Sequence, residues 1–326
     1  MFYYARLSIL FIAIGYVVIQ GHVSITIREQ IKRGVGLIIE LVHFHHHLLT
    51  AVMCIFFTNL NGRNLVKVLH GFVAVQEDFQ QLGFPINYKK AIPFTYVVNI
   101  LFILKVIVLV ATLFYWEHPH SILYSTLHIA IHALSTMWIF YLLLIKLNIQ
   151  HLNAIFLTHF EQNHAPSTAK LLLACGDIYA KLFRINDLVN KSFVWQFIVV
   201  IPQLFLEILL HTFHMIKVMK YEAKIEGSSI VVDVTYFWIL LNIVVPTVLT
   251  KNEFNLLVDT IADIGIGMQI VDQECNEVLS RLLLQLYHQR FTFSAKGIFP
   301  LDGTLIYSVL GTVITYLVAL WQFNMT

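Results

Sequence analysis

Thr315-Tyr-Leu-Val-Ala-Leu-Trp-Gln-Phe323 places a Thr-Tyr pair and a Gln-Phe pair in an otherwise apolar run that closes the 326-residue chain. A glutamine facing hydrocarbon would leave hydrogen-bonding groups without partners, so the amide of Gln322 must face another helix or a water-filled path. The run around it, approximately 303 to 325, is long enough to cross the roughly 30 Å hydrocarbon layer of a bilayer. Six further runs of similar character lie upstream, at approximately 6–21, 34–60, 91–116, 121–146, 192–217 and 230–250. With 58% hydrophobic and 12% charged residues and a mean hydropathy of +0.74, the chain carries more apolar material than a soluble domain can bury. The expected fold is all-α: a polytopic membrane protein with seven transmembrane helices. Arg6 followed by an apolar stretch resembles a signal peptide, but no clear cleavage pattern follows it, and we read an uncleaved first helix.

Lys and Arg orient the set. With the N-terminus inside, the cytoplasmic segments hold 14 of the 21 Lys and Arg residues and the outer loops hold 6. The positive-inside rule then places the N-terminus in the cytoplasm and the C-terminus outside. That orientation is opposite to that of a G-protein-coupled receptor. A net charge of +2 and the lack of a basic run exclude a nucleic-acid partner. The three cysteines, Cys54, Cys175 and Cys275, imply no extracellular disulfide framework.

The spacing Thr-Tyr, five apolar residues, Gln-Phe resembles the C-terminal signature of the insect gustatory receptors. The preceding Phe291-Thr-Phe-Ser-Ala-Lys-Gly-Ile-Phe-Pro-Leu-Asp302 is similar to the segment leading into their last membrane helix. The resemblance covers about the last fifth of the chain; elsewhere only helix count and loop lengths agree. It implies a plasma-membrane receptor of chemosensory neurons, a homo-tetramer or a hetero-tetramer with related receptors, acting as a nonselective cation channel opened by a small-molecule tastant. It assigns the pore to the last helix, with Gln322 and Phe323 near the constriction, and gives Thr315 and Tyr316 a packing role. Thr315, Ala319 and Gln322 lie at i, i+4 and i+7 and share one face. Leu317 stands where sugar-receptor members typically carry Glu, so a bitter-type or unclassified receptor is expected rather than a sugar receptor.

Residues 251–302 form the expected cytoplasmic segment. Leu256, Leu257, Ile261, Ile264, Met268 and Val271 recur at helical spacing between acids, which reads as an amphipathic helix. By resemblance such helices make subunit contacts near the symmetry axis; the alternative is a helix lying against the bilayer.

Two further constellations stand out. Lys105 lies near the middle of the third run, where a lone ammonium costs about 2.5 to 3.5 kcal/mol. Counted from the cytoplasmic ends, Lys105 and Glu207 both sit roughly 21 to 23 Å up their helices, so an ion pair between them is one expectation and snorkelling of Lys105 to an aqueous cavity is another. Sixteen histidines cluster at His43, His45, His46 and His47, at His128 and His132, and at His211 and His214. Such spacing can hold a transition metal and resembles the boxes of di-iron membrane enzymes, but few of these histidines have flanking carboxylates. We therefore expect no cofactor, no metal site and no enzyme activity. The remaining reading is a hydrated ligand cavity in the outer halves of the helices, as the resemblance implies. Glu40, His43, Tyr124, His128, Glu207, His211, Tyr236 and Trp238 project to that level, although Tyr236 and Trp238 also suit an interfacial aromatic belt.

Overall fold

The computed structural model describes residues 35–90, scattered residues of 92–107, and residues 119–159, 168–221, 227–268 and 273–323. Four long helices dominate: α1 (Val35–Gln81), α2 (Pro119–His159), α3 (Thr168–Tyr221) and α4 (Gly227–Met268). A short α5 (Gln273–His288) follows. A two-residue-per-strand hairpin, β1 (Ser294–Ala295) against antiparallel β2 (Phe299–Pro300), then leads into α6 (Gly303–Phe323). Described residues between 92 and 107 are also helical, and Ile92, Tyr96, Val97, Ile100, Ile103, Leu104 and Ile107 are all exposed. An exposed aliphatic row of that length is what a bilayer, rather than water, would cover.

Among the described residues, three helical stretches are long and apolar enough to cross a membrane: Ile129–His159, Ala169–Phe213 and Val234–Ile266. Gly303–Ala319 is a shorter apolar helix. These fall on the fourth to seventh expected runs. The first run lies outside the described residues.

The helices overshoot their apolar runs. α1 continues to Gln81, α3 begins at Thr168, and α4 carries on to Met268 instead of ending at the membrane. Within the expected amphipathic segment 251–302, the described helical residues before the hairpin are the end of α4 and α5; Val271 lies outside the described residues. Leu257, Ile261 and Ile264 are buried as the periodicity predicts, whereas Leu256 faces outward.

The chain divides into two compact units, one of residues 1–59, 98–136 and 196–239, the other of 60–97, 137–195 and 240–326. In the second, the overshooting helix ends are held by seams of heptad spacing. α1 buries Leu65, Val68, Phe72, Val75 and Phe79. α2 buries Trp138, Leu142, Ile145, Ile149, Leu152 and Phe156. α3 buries Leu172, Cys175, Tyr179, Leu182, Asn186, Val189 and Phe193. α1 and α3 run antiparallel there: the Asn61 side chain donates to the Ser192 carbonyl at 3.0 Å, Gly71 lies against Ile185, and Lys181 pairs with Asp78 at 2.6 Å. A Cβ on Gly71 would come within 2.8 Å of Ile185 Cγ1, so only glycine allows this approach. Trp138 joins α2 to α4 by donating to the Ile243 carbonyl at 3.1 Å and to Thr247 Oγ1 at 3.3 Å. Tyr179 stacks on Phe254, meets Phe291 edge-on, and donates its hydroxyl to the Gln289 carbonyl. Cys54, Cys175 and Cys275 are buried and form no disulfide.

The hairpin turns through Lys296 and Gly297, both at positive φ, and the Lys296 ammonium lies 4.2 Å from the centre of the Trp195 ring. Asp302 then caps α6: its carboxylate accepts from the Thr304 N–H at 3.0 Å and from the Thr304 hydroxyl at 2.6 Å, with Lys251 3.7 Å away. These Thr304 hydrogen bonds, with Lys251 adding a smaller electrostatic pull, hold the Asp302 carboxyl below its ordinary value of 3.8. The contribution of the cap is therefore complete above that ordinary value and is lost as pH falls through the depressed one. Asp302→Ala is expected to cost about 0.5 to 2 kcal/mol, read as a lower melting temperature of the detergent-solubilised protein, while Asp302→Asn keeps most of it.

Candidate functional site

In the first unit, a row of polar side chains lies between α1, α3 and α4, buried at Thr50, Gln203, Glu207 and Tyr236 and half-buried at His46 and His211. Pro202 removes one backbone hydrogen bond of α3. The next residue, Gln203, and Glu207 one turn on, point into the protein, and Glu207 is fully buried. The Gln203 amide donates to Glu207 Oε1. Its Oε1 in turn faces His46 Nδ1 and accepts from Thr50 Oγ1 at 3.5 Å. Since a carbonyl oxygen only accepts, Nδ1 of His46 carries the proton in this arrangement. At the other end, His211 Nε2 lies 3.9 Å from Glu207 Oε2, and the His211 ring lies 5.7 Å from that of Tyr236. The row thus runs His46, Gln203, Glu207, His211, Tyr236. A buried carboxylate flanked by an amide and an imidazole is a strong acceptor, suited to a ligand N–H or cationic nitrogen beside an aromatic wall.

Of the residues expected at a ligand site, Glu207, His211 and Tyr236 come together here. Tyr236 is 1% exposed, whereas Trp238, two residues on, is 41% exposed and points outward, as a belt residue would. Glu40, His43, Tyr124 and His128 lie on α1 and α2, but their side chains, like Lys105 altogether, are outside the described residues, and so is the expected Lys105–Glu207 pair. The sequence reading missed Gln203 as the partner of Glu207, and His46 and Thr50 as the partners of Gln203. The signal for Gln203 was available: it precedes Glu207 by four residues, so the two share a helix face. Among the described residues, no three His, Cys, Asp or Glu side chains converge closely enough to hold a metal ion.

A cavity of about 290 Å³ lies elsewhere, in the second unit, lined by Asp78, Gln81, Asp177, Lys181 and Arg184 among others. Its charges are partly spent on the Lys181–Asp78 pair, and no aromatic residue lines it.

The last helix is the other candidate. α6 buries one narrow stripe, Leu305, Val309 and Val313. On the opposite side, Thr304, Ser308, Gly311, Thr315 and Gln322 fall within an arc of roughly 60° at 100° per residue, and all five are exposed. Ser308 and Thr315 return their hydroxyl hydrogens to the carbonyls of Thr304 and Gly311, at 2.9 and 2.8 Å, leaving oxygen lone pairs outward. Ala319 is half-buried beside this arc, and the Phe323 side chain is outside the described residues. One chain therefore presents polar and glycine positions along one side of an apolar helix, with Val318 and Ala319 between Thr315 and Gln322.

The sequence profile of the 7tm chemosensory receptor family matches residues 1–326. Gustatory receptor 28b of Drosophila melanogaster is 26% identical over 142 residues, 41% of this chain and 30% of that protein. Gustatory receptor 2a of the same fly is 48% identical over 48 residues, 15% of this chain and 11% of that protein. The matched stretches thus span less than a third of these relatives' own length. Among solved structures, the insect olfactory receptor OR5 from Machilis hrabei in complex with eugenol superposes with a TM-score of 0.66, covering 95% of this chain and 88% of that one at 11% identity. That likeness is one of fold. The chain belongs to the 7tm chemosensory receptor family, and is a multi-pass membrane receptor rather than an enzyme.

Proposed function

We propose that this receptor is a ligand-gated, nonselective cation channel in the plasma membrane of chemosensory neurons, opened by a small extracellular tastant of bitter or unclassified type. The observation that supports this reading most is the exposed track of Thr304, Ser308, Gly311, Thr315 and Gln322 on α6. An exposed hydrophilic stripe on a membrane helix needs water or a neighbouring chain to face it. Four copies of 303–325 around an axis would give a pore with a polar lining, and residues 251–302 would hold the subunits together in a homo-tetramer or a hetero-tetramer with relatives. The chain would cross the bilayer seven times with its N-terminus inside and its C-terminus outside.

The ligand would bind in the first unit, where the Gln203–Glu207–His211 row supplies the acceptor. A ligand that holds the open arrangement more tightly than the closed one shifts the population toward conduction. The test is whole-cell current from the full chain, alone and with related subunits, over a panel of sugars, amines and neutral bitter compounds. For an agonist bearing a basic nitrogen, Glu207→Gln is expected to raise the half-maximal concentration by on the order of tenfold or more, because a charge-assisted hydrogen bond becomes a neutral one. Unitary conductance stays unchanged. An unchanged dose-response curve for every agonist would remove Glu207 from the site.

A further inference from the structure

The cations of the second unit fall into two sets. Lys146, Lys181, Lys191, Lys251 and Arg281 pair with Glu253, Asp78, Asp187, Asp302 and Glu277, while Arg290 and Lys296 lie over aromatic rings. Arg63 and Lys67 on α1 have no such partner among the described residues. Lys89, Lys170 and Arg184 share that lack, but Arg63 and Lys67 alone of these stand on one face with Leu60 and Val66, both exposed. At 100° per residue that face is opposite the seam of Leu65, Val68, Phe72 and Val75, and no acid occurs on α1 between Glu40 and Glu77.

Depth can be fixed independently. The Asn61 to Ser192 hydrogen bond levels α1 with α3. Three residues from Ser192 on its apolar side stands Trp195, 39% exposed with the Lys296 ammonium over its ring, an amphipathic aromatic of the kind that marks the edge of the hydrocarbon. On the other side of that level, Arg63 and Lys67 lie two and six residues beyond Asn61, roughly 3 and 9 Å along the helix. A headgroup layer is roughly 5 to 8 Å thick on each side. Trp195 lies roughly 4.5 Å to the apolar side of that level, so the Arg63 and Lys67 backbones stand roughly 8 and 14 Å beyond it: Arg63 is at the outer part of the headgroup layer, and the long Lys67 side chain, tilted toward the helix N-terminus and so toward the membrane, reaches back to it.

We propose that Arg63 and Lys67 form a binding site for the phosphate headgroup of an anionic phospholipid, whose acyl chains lie along Leu60 and the exposed apolar face of α1. The site rests on the reading of this face as membrane-exposed, and commits to a leaflet lipid rather than to a soluble anion or a second protein chain.

The full-length receptor, stripped in detergent and reconstituted into vesicles of phosphatidylcholine with one-fifth phosphatidylserine, is re-extracted gently and its retained lipids are counted by mass spectrometry. Wild type is expected to retain phosphatidylserine in excess of its vesicle fraction. Arg63→Gln with Lys67→Gln should weaken that preference by roughly fivefold per cation removed. The Lys170→Gln/Arg184→Gln variant, which loses the same charge elsewhere, should keep it. In a second measurement on the unmodified chain, a photoreactive phosphatidylserine should label α1 within residues 60–70. Equal preference in the Arg63/Lys67 variant, equal loss in the Lys170/Arg184 variant, or labelling that avoids residues 60–70 would each overturn the site. A lost lipid site with a normal ligand-gated current, or the converse, separates this proposal from the channel reading.

Discussion

Trp138→Ala is expected to remove about 3 to 5 kcal/mol of stability, the largest loss of any single truncation considered for this receptor. The indole is fully buried, with ring centroids 5.4 Å from Phe193 and 5.8 Å from Phe293, both edge-on. Its N–H donates to the Ile243 carbonyl and to Thr247, so truncation leaves a cavity among α2, α3, α4 and the segment before β1 and also strips a partner from buried acceptors. Net stabilities of protein domains are only about 5 to 15 kcal/mol, so the variant should lose most of its surface expression. Trp138→Phe keeps much of the volume but not the N–H, and should recover a large part of the loss. Surface biotinylation and the melting temperature of the solubilised protein measure both. An alanine variant that reaches the surface at wild-type abundance contradicts this account of the core.

Gln322→Lys is expected to suppress cation current at least tenfold without lowering surface abundance. The side chain is exposed at the end of the α6 track, so the change has little folding cost. In the proposed tetramer it would place four ammonium groups around the conduction path, where their field opposes a cation and the low-dielectric surroundings strengthen it. Gln322→Asn, which keeps the amide one methylene shorter, should conduct with altered block or permeability. Comparable current through the lysine variant would move the constriction away from Gln322.

The last helix was the most legible part of the chain. Its length, its Gln322 and the shared face of Thr315 with Gln322 all follow from spacing. The structure extends that face to Thr304, Ser308 and Gly311. Less legible were the long helix ends beyond the apolar runs. Charged residues such as Lys181, Arg184 and Asp187 depress the local hydropathy of α3, and a search for apolar runs passes over them. The heptad row Leu172, Cys175, Tyr179, Leu182, Asn186, Val189 and Phe193 was nevertheless present in the sequence as a period of 3.5, the signal of helix packed on helix. Glu207 was found as an acid at the depth of Lys105, whose own cost in a membrane helix called for a partner. Its partners were assigned by depth, which cannot give helix rotation; Gln203 and His211 one turn away on the same helix were closer candidates than Lys105.

The central claim is that the polar face of α6 lines the ion path, and cysteine accessibility during agonist-evoked current tests it most directly. Cys54, Cys175 and Cys275 are buried, so the background reaction with a charged methanethiosulfonate reagent should be low. The account predicts rapid loss of current on modification of Ser308→Cys and Thr315→Cys, and no effect at Val309→Cys or Val313→Cys, which lie on the buried stripe. Equal reactivity on both faces, or reaction confined to the valine positions, would contradict it.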